Sequence, residues 1–194
     1  MDLPTRHRGI VARHSAALVV IDVQDRLAAA MPRRDETVAS VRALAAGARE
    51  LGVPVIVTRQ YPKGIGEVVP ELADVLLGAQ VIDKTAFDCM AEPAFAQALR
   101  SVERECALLC GMEAHICVSQ TAMSMAASGV RPIVVADAVC SRRDLDRDVA
   151  LDRLRLWGIE VATLEQVLYE MLGRAGTDEF KRVLEIVKER DASM

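Results

Sequence analysis

Short apolar runs of four to six residues alternate with longer segments of helical period through most of this 194-residue chain. That alternation confines it to the α/β folds. The runs fall at 16–21 (AALVVI), 53–58 (VPVIVT), 80–83 (QVID), 106–111 (CALLCG), 131–136 (RPIVVA) and 159–162 (IEVA). Most are continuously apolar, the mark of a strand covered on both faces, as in a parallel sheet. Between them the spacing predicts helices near 36–51, 71–76, 92–102, 116–128 and 145–157, with Gly52 and Gly129 ending the first and fourth. Two more helices follow, the second marked by Phe180, Val183, Leu184 and Val187 at helical spacing. The expected architecture is a Rossmann-like, three-layer α/β/α arrangement with a six-stranded, mostly parallel sheet and right-handed crossovers. One domain is expected over residues 15–194, preceded by a basic surface arm at 1–14.

Sheets of this kind hold their sites outside the carboxyl ends of the strands. Three reactive side chains stand there: Asp22 after the first run, Lys84 after the third, and Cys117 just past the fourth, where a helix begins. A thiol at a helix start is expected to have its pKa lowered by the backbone dipole, and a lysine ammonium would stabilise its thiolate further. An aspartate can take the thiol proton and pass it to a leaving group. Free amides at the same helix start can bind an oxyanion. Taken singly, each residue has an ordinary structural use: an aspartate fixes a loop, a lysine is solvated, a cysteine fills an alanine-rich helix. Their shared placement at one sheet edge is what points to chemistry.

Composition narrows the function. The net charge is −4 and no basic block occurs, which argues against nucleic-acid or anionic-membrane partners. Apolar residues make up 52% of the chain but aromatic ones only 3%, so the core is aliphatic and a base-stacking surface has too few rings. No apolar run reaches the ~20 residues of a membrane span. The five cysteines are Cys89, Cys106, Cys110, Cys117 and Cys140; their odd number and the lack of a charged-then-apolar leader suit a cytoplasmic protein without disulfides. No second Cys or His pair accompanies Cys106 and Cys110 at zinc-site spacing.

The local sequences carry a more specific signal. LVVIDVQDRL around Asp22 and Gln24, DKTAFD around Lys84 and CGMEAHICVSQTA around Cys117 resemble the isochorismatase-like cysteine hydrolase superfamily. RQYPKGIGEVVPEL and DAVCSRRDLDRDVAL add to the likeness, which runs in order over residues 15–172 and is nearest to the isochorismatase domain-containing proteins. The resemblance implies an Asp–Lys–Cys triad: Cys117 as nucleophile, Asp22 as base then acid, Lys84 as stabiliser of charge. It also implies a cis peptide between Met112 and Glu113, with the Glu113 and Cys117 amides forming an oxyanion hole. A homo-oligomer acting on a small-molecule substrate follows from the same resemblance.

Departures from the pattern refine it. The nicotinamidase branch has an aspartate and two histidines as a metal site after the second strand. Here that region has no histidine; the three are His7, His14 and His115. The reading is therefore metal-independent and cofactor-free, with nicotinamide disfavoured. True isochorismatases lack the nucleophilic cysteine, so Cys117 argues against vinyl ether hydrolysis. Tyr61 and Phe87, in loops after strands, are candidate substrate contacts. His115 stands two residues before Cys117, a spacing at which helical side chains do not face each other. Cys89 is a candidate pocket or redox neighbour, while Cys106, Cys110 and Cys140 read as packing residues. The leading function is hydrolysis of a small amide-type C–N bond. A redox-responsive or non-catalytic oligomeric scaffold and isochorismate-type hydrolysis remain open.

Overall fold

The computed structural model describes residues 9–193. Of the arm expected over 1–14, residues 1–8 therefore lie outside the described part; within the remainder, Val11 and Ala12 are buried. The described residues form six strands and eight α-helices. The strands are β1 (Ala16–Ile21), β2 (Val55–Gln60), β3 (Gln80–Lys84), β4 (Cys106–Met112), β5 (Arg131–Cys140) and β6 (Glu160–Ala162). The helices are α1 (Asp25–Ala28), α2 (Arg34–Glu50), α3 (Pro62–Ile65), α4 (Pro93–Ser101), α5 (Ser119–Ala127), α6 (Asp144–Leu156), α7 (Leu164–Leu172) and α8 (Asp178–Ala192).

All the strands pair in parallel, in the order β3-β2-β1-β4-β5-β6. Chain direction across the sheet reverses between β1 and β4, the switch point at which such sheets open a crevice. Alternate residues along each strand feed the two helical layers. Leu18 and Val20 face α2, α7 and α8, while Val19 and Ile21 face α4, α5 and α6. β1 and β4 are buried along their whole length, which explains their unbroken apolar sequence. Each fully buried Leu, Ile or Val side chain contributes roughly 1.5–3 kcal/mol of transfer free energy.

Two boundaries move the site. β2 begins at Val55 and runs on to Gln60, two residues past the end of its apolar stretch, because Arg59 and Gln60 continue in register with Asp83 and Lys84. β5 continues to Cys140 although Asp137 interrupts its pattern. That aspartate is tied down on both sides: Oδ1 accepts from the Leu164 amide at 2.8 Å and Oδ2 from Arg190 at 3.1 Å. Gly111, at φ 115°, is opposite Ile21, and a Cβ there would stand 2.0 Å from the Ile21 carbonyl oxygen. Only glycine lets β4 run this close to β1 at the switch point.

Candidate active site

Asp22, Lys84 and Cys117 meet at the carboxyl edge of the sheet, all buried. Asp22 follows β1 with φ 53°, a left-handed conformation that Asp and Asn tolerate better than other non-glycine residues. Lys84 ends β3, two strands from β1 and so about 10 Å away across the sheet. Its long side chain lies across β2 to cover that distance, and Nζ reaches Asp22 Oδ2 at 2.7 Å and Cys117 Sγ at 3.5 Å. Cys117 sits in a π-helical turn, Ala114–Val118, that leads into α5. The helix expected to start at Ile116 thus begins with a wider turn, a feature often found at functional sites. The Glu113 carbonyl accepts from the Ile116 and Val118 amides, and Ser119 Oγ donates to the Ala114 carbonyl at 2.6 Å. The Met112–Glu113 peptide is cis.

The hydrogen bonds around the carboxylate and ammonium are specific. Thr58 of β2 donates its hydroxyl to Asp22 Oδ1 at 2.7 Å. Oδ2 forms the ion pair with the ammonium at 2.7 Å. Lys84 Nζ donates to Gln60 Oε1 at 2.5 Å and to the Ala86 carbonyl at 3.2 Å. Gln60 is held in turn: its Nε2 donates to the Thr85 carbonyl at 2.7 Å, and its main-chain amide donates to Gln24 Oε1 at 2.7 Å. Gln24 Nε2 donates to the Gln60 and Gly66 carbonyls. Gln24 of the Asp-x-Gln motif therefore acts as a side-chain splice that fixes the end of β2. Thr58 and Gln60 were missed by sequence reasoning. The signal available was their alternation with Ile56 on one face of a strand whose end is polar.

Titration behaviour corrects one expectation. The Cys117 thiol is pushed up to about 12, not lowered. Burial is the main cause, and the neighbouring Asp22 carboxylate adds to it; the Lys84 ammonium opposes both and is outweighed. Burial also opposes the charge on Lys84, but its pKa is raised, with the Asp22 carboxylate the largest of the influences that raise it, so it stays an ammonium. The resting state is a protonated thiol beside a carboxylate–ammonium pair.

Other candidates fall around this centre. Tyr61 and Phe87 are each 54% exposed, in the loops after β2 and β3. The Tyr61 amide donates to the Lys84 carbonyl at 2.8 Å, and the Phe87 carbonyl lies 3.5 Å from Lys84 Nζ. Tyr61 also lines an open cleft of about 550 Å³ with Arg59, Glu67, Asp83, Thr85 and Glu92. The Glu113 carboxylate turns away to accept from the Arg142 amide and Nε. His115 shares a hydrogen bond with Ser141 Oγ at 2.9 Å through Nδ1. Cys89 is buried, with burial pushing its thiol up to about 11. Among the described residues, no group of His, Cys, Asp and Glu is arranged to hold a metal ion.

The isochorismatase domain model matches residues 16–166, which include every residue of this centre. The chain belongs to the isochorismatase domain family. This is a family of hydrolases, and the fold agrees with it. An isochorismatase domain-containing protein 1 from Salmo salar is 39% identical over 173 residues, covering 86% of this chain and 59% of the relative's length. A structure described as MAR1 ribonuclease from Caenorhabditis elegans is 33% identical, covers 93% of each chain and superposes with a TM-score of 0.87. The YcaC gene product of Escherichia coli, described as an octameric hydrolase of unknown specificity, shares the fold at 22% identity and a TM-score of 0.84, covering 98% of this chain and 100% of YcaC.

Proposed function

We propose that this family member is a metal-independent cysteine hydrolase that cleaves a small amide-type C–N bond through a thioester on Cys117. The observation that carries the reading is the buried Asp22–Lys84 ion pair at 2.7 Å with the Cys117 sulfur 3.5 Å from the same ammonium. Three ionisable groups are costly to bury together, and nucleophile, base and charge stabiliser are the roles such a group can fill.

Sulfur attacks the carbonyl carbon as its proton passes to Asp22 Oδ2, so the raised thiol pKa is met by coupling attack to proton transfer. The C–S bond forms and the carbonyl π pair moves onto oxygen, which the Glu113 and Cys117 main-chain amides receive. As the C–N bond breaks, Asp22 returns the proton to the leaving nitrogen and ammonia or an amine departs. Water then gives a proton to Asp22 and attacks the thioester carbonyl. The C–S bond breaks, the proton returns to sulfur and the carboxylic acid leaves. Lys84 holds its ammonium against Asp22 between these transfers and offsets the negative charge that develops beside it. Gln60 holds the ammonium in place.

Tyr61 and Phe87 are proposed substrate contacts, since both project from the loops that frame Lys84. No cofactor enters this scheme. The chain is further proposed to work in the cytoplasm as a homo-oligomer, as the octameric YcaC does in assembly. The ribonuclease description of the C. elegans structure finds no support in a chain with net charge −4 and 3% aromatic residues. A peroxide-sensing role is disfavoured by the same burial that holds the thiol protonated, because the thiolate is the oxidisable form. Vinyl ether hydrolysis leaves Cys117 without a task.

The test is intact-mass spectrometry during turnover of a panel of small amides. An acyl adduct on the wild-type chain, absent from Cys117→Ala together with ammonia release, is the expected result. Turnover that survives in Cys117→Ala would sink the mechanism.

A further inference from the structure

Thr58 follows the apolar residues Val55, Ile56 and Val57 of β2 and is itself wholly buried. A valine there would have nearly the same shape and suit a strand equally well. A buried hydroxyl costs free energy unless it is hydrogen-bonded, and this one is bonded to the proposed base. Thr58 grips Asp22 at both ends. Its main-chain carbonyl accepts from the Asp22 amide at 3.2 Å, and its hydroxyl donates to Oδ1 at 2.7 Å. The hydroxyl has a single hydrogen and a carboxylate only accepts, so that hydrogen is committed. The carboxylate needs such an anchor, because the terminal torsion of an aspartate is broad. The Lys84 ammonium, 2.7 Å from Oδ2, holds one oxygen only. Thr58, stiffened by its branched Cβ, holds the other.

Behind Thr58 lies Cys89, a wholly buried thiol with no part in the reaction scheme. Its sulfur is within hydrogen-bonding reach of the Thr58 and Thr121 hydroxyls. Its main-chain amide donates to Thr121 Oγ1 at 3.0 Å. Thr121 lies in α5, four residues beyond Cys117. The direction of these contacts is set at their ends. With the Thr58 hydrogen taken by Asp22, only Cys89 can donate between the two. Thr121, whose oxygen receives the Cys89 amide, is left to donate its hydrogen to the Cys89 sulfur. Burial pushes the Cys89 thiol up to about 11, so it keeps the proton this arrangement needs.

We propose that Thr58 and Cys89 are positioning residues for the transfer of the Cys117 proton: a one-way hydrogen-bond chain from Thr121 through Cys89 and Thr58 locks the Asp22 carboxylate with Oδ1 occupied, leaving Oδ2 as the oxygen that takes the proton. The proposal rests on the cysteine hydrolase reading above and names what holds its base. The chain also ties the base, at the end of β1, to the helix that carries the nucleophile, so the two keep their spacing.

Acetylation by p-nitrophenyl acetate, followed by rapid quenching and intact-mass spectrometry, tests this without knowledge of the natural substrate. Sulfur attacks the acetyl carbon, the thiol proton passes to Asp22, the C–O bond breaks and p-nitrophenolate leaves. The wild-type chain is expected to gain an acetyl group that Cys117→Ala does not. Thr58→Val should slow this step about 10-fold or more with circular dichroism unchanged, and Thr58→Ser, which keeps the hydroxyl, should recover most of the rate. Cys89→Ala should slow it about 3-fold, the net worth of one neutral hydrogen bond, and Cys89→Ser should restore it. Equal labelling of wild type and Cys117→Ala would overturn the hydrolase reading and this proposal with it. Labelling confined to Cys117 at a rate that Thr58→Val leaves unchanged, or that Thr58→Ser fails to recover, would overturn the positioning role and leave the hydrolase reading standing. If Thr58→Val does not fold, the Cys89 pair decides, and a wild-type rate in Cys89→Ala overturns the chain.

Discussion

Replacing Asp22 by Asn removes one charge from the buried pair and little else. Asn has the same shape, accepts the left-handed φ of 53°, and still offers an oxygen to the Thr58 hydroxyl. What remains is a Lys84 ammonium, 2% exposed, with Gln60 and two main-chain carbonyls for company. Breaking a buried pair in this way costs about 3–5 kcal/mol. There is also a ceiling. Lys84 can shed its proton, which from its ordinary value of 10.5 costs about 5 kcal/mol at pH 7 and about 2 kcal/mol at pH 9. The folded variant then holds this proton less tightly than the unfolded chain, so its penalty relative to wild type shrinks as pH rises. Urea unfolding followed by circular dichroism, on both proteins at pH 7 and pH 9, measures this directly. The double variant Asp22→Asn/Lys84→Met should regain most of the loss, since no buried charge is left. A penalty below about 1 kcal/mol at pH 7 would refute the reasoning, because desolvated partners cannot be separated so cheaply. So would a penalty that does not shrink at pH 9.

Gln60→Ala frees the Lys84 ammonium from its shortest contact. It should lower kcat about 10-fold or more with a smaller change in KM, as expected for a residue that positions a charge stabiliser; unchanged kcat would remove Gln60 from the site. Alkaline stability should fall steeply between pH 9, where unfolded thiols ionise, and pH 12. Burial pushes Cys89, Cys106 and Cys140 up to about 11 and Cys117 to about 12, so the folded state keeps protons the unfolded chain releases. Urea midpoints across that range check the slope, and a flat profile would contradict the thiols' burial. Gly111→Ala places a methyl group 2.0 Å from the Ile21 carbonyl oxygen, against backbone that cannot step aside. It should cost about 4 kcal/mol or more, seen as a collapsed melting temperature or insoluble protein.

The alternation of apolar runs was enough to anticipate a six-stranded α/β sheet because burial on both faces leaves so clear a trace in β1 and β4. The trace fails where a polar residue has a private partner. Asp137 interrupts the pattern of β5 but is satisfied by the α7 amide and Arg190, so the strand runs through it. The candidate triad could be proposed from strand ends, since its members are reactive types at predictable positions. Thr58 and Gln60 left only the faint trace of alternation with Ile56, because their meaning depends on Lys84 crossing above them from β3. The thiol pKa was misjudged for a related reason. A helix start is visible in sequence; the depth at which it lies, and the carboxylate beside it, are not.

Lys84 belongs to β3, and β3 is one of the two edge strands of the sheet, paired on one side only. Such strands are the first to open when a sheet breathes, while the central strands hold until global unfolding. The group that sets the charge balance of the proposed reaction is thus tied to one of the less protected ladders in the molecule. Amides of β3 should exchange with deuterium faster than those of β1 and β4. On heating, activity should disappear several degrees before the sheet itself melts, because Lys84, the proposed charge stabiliser, leaves with its strand.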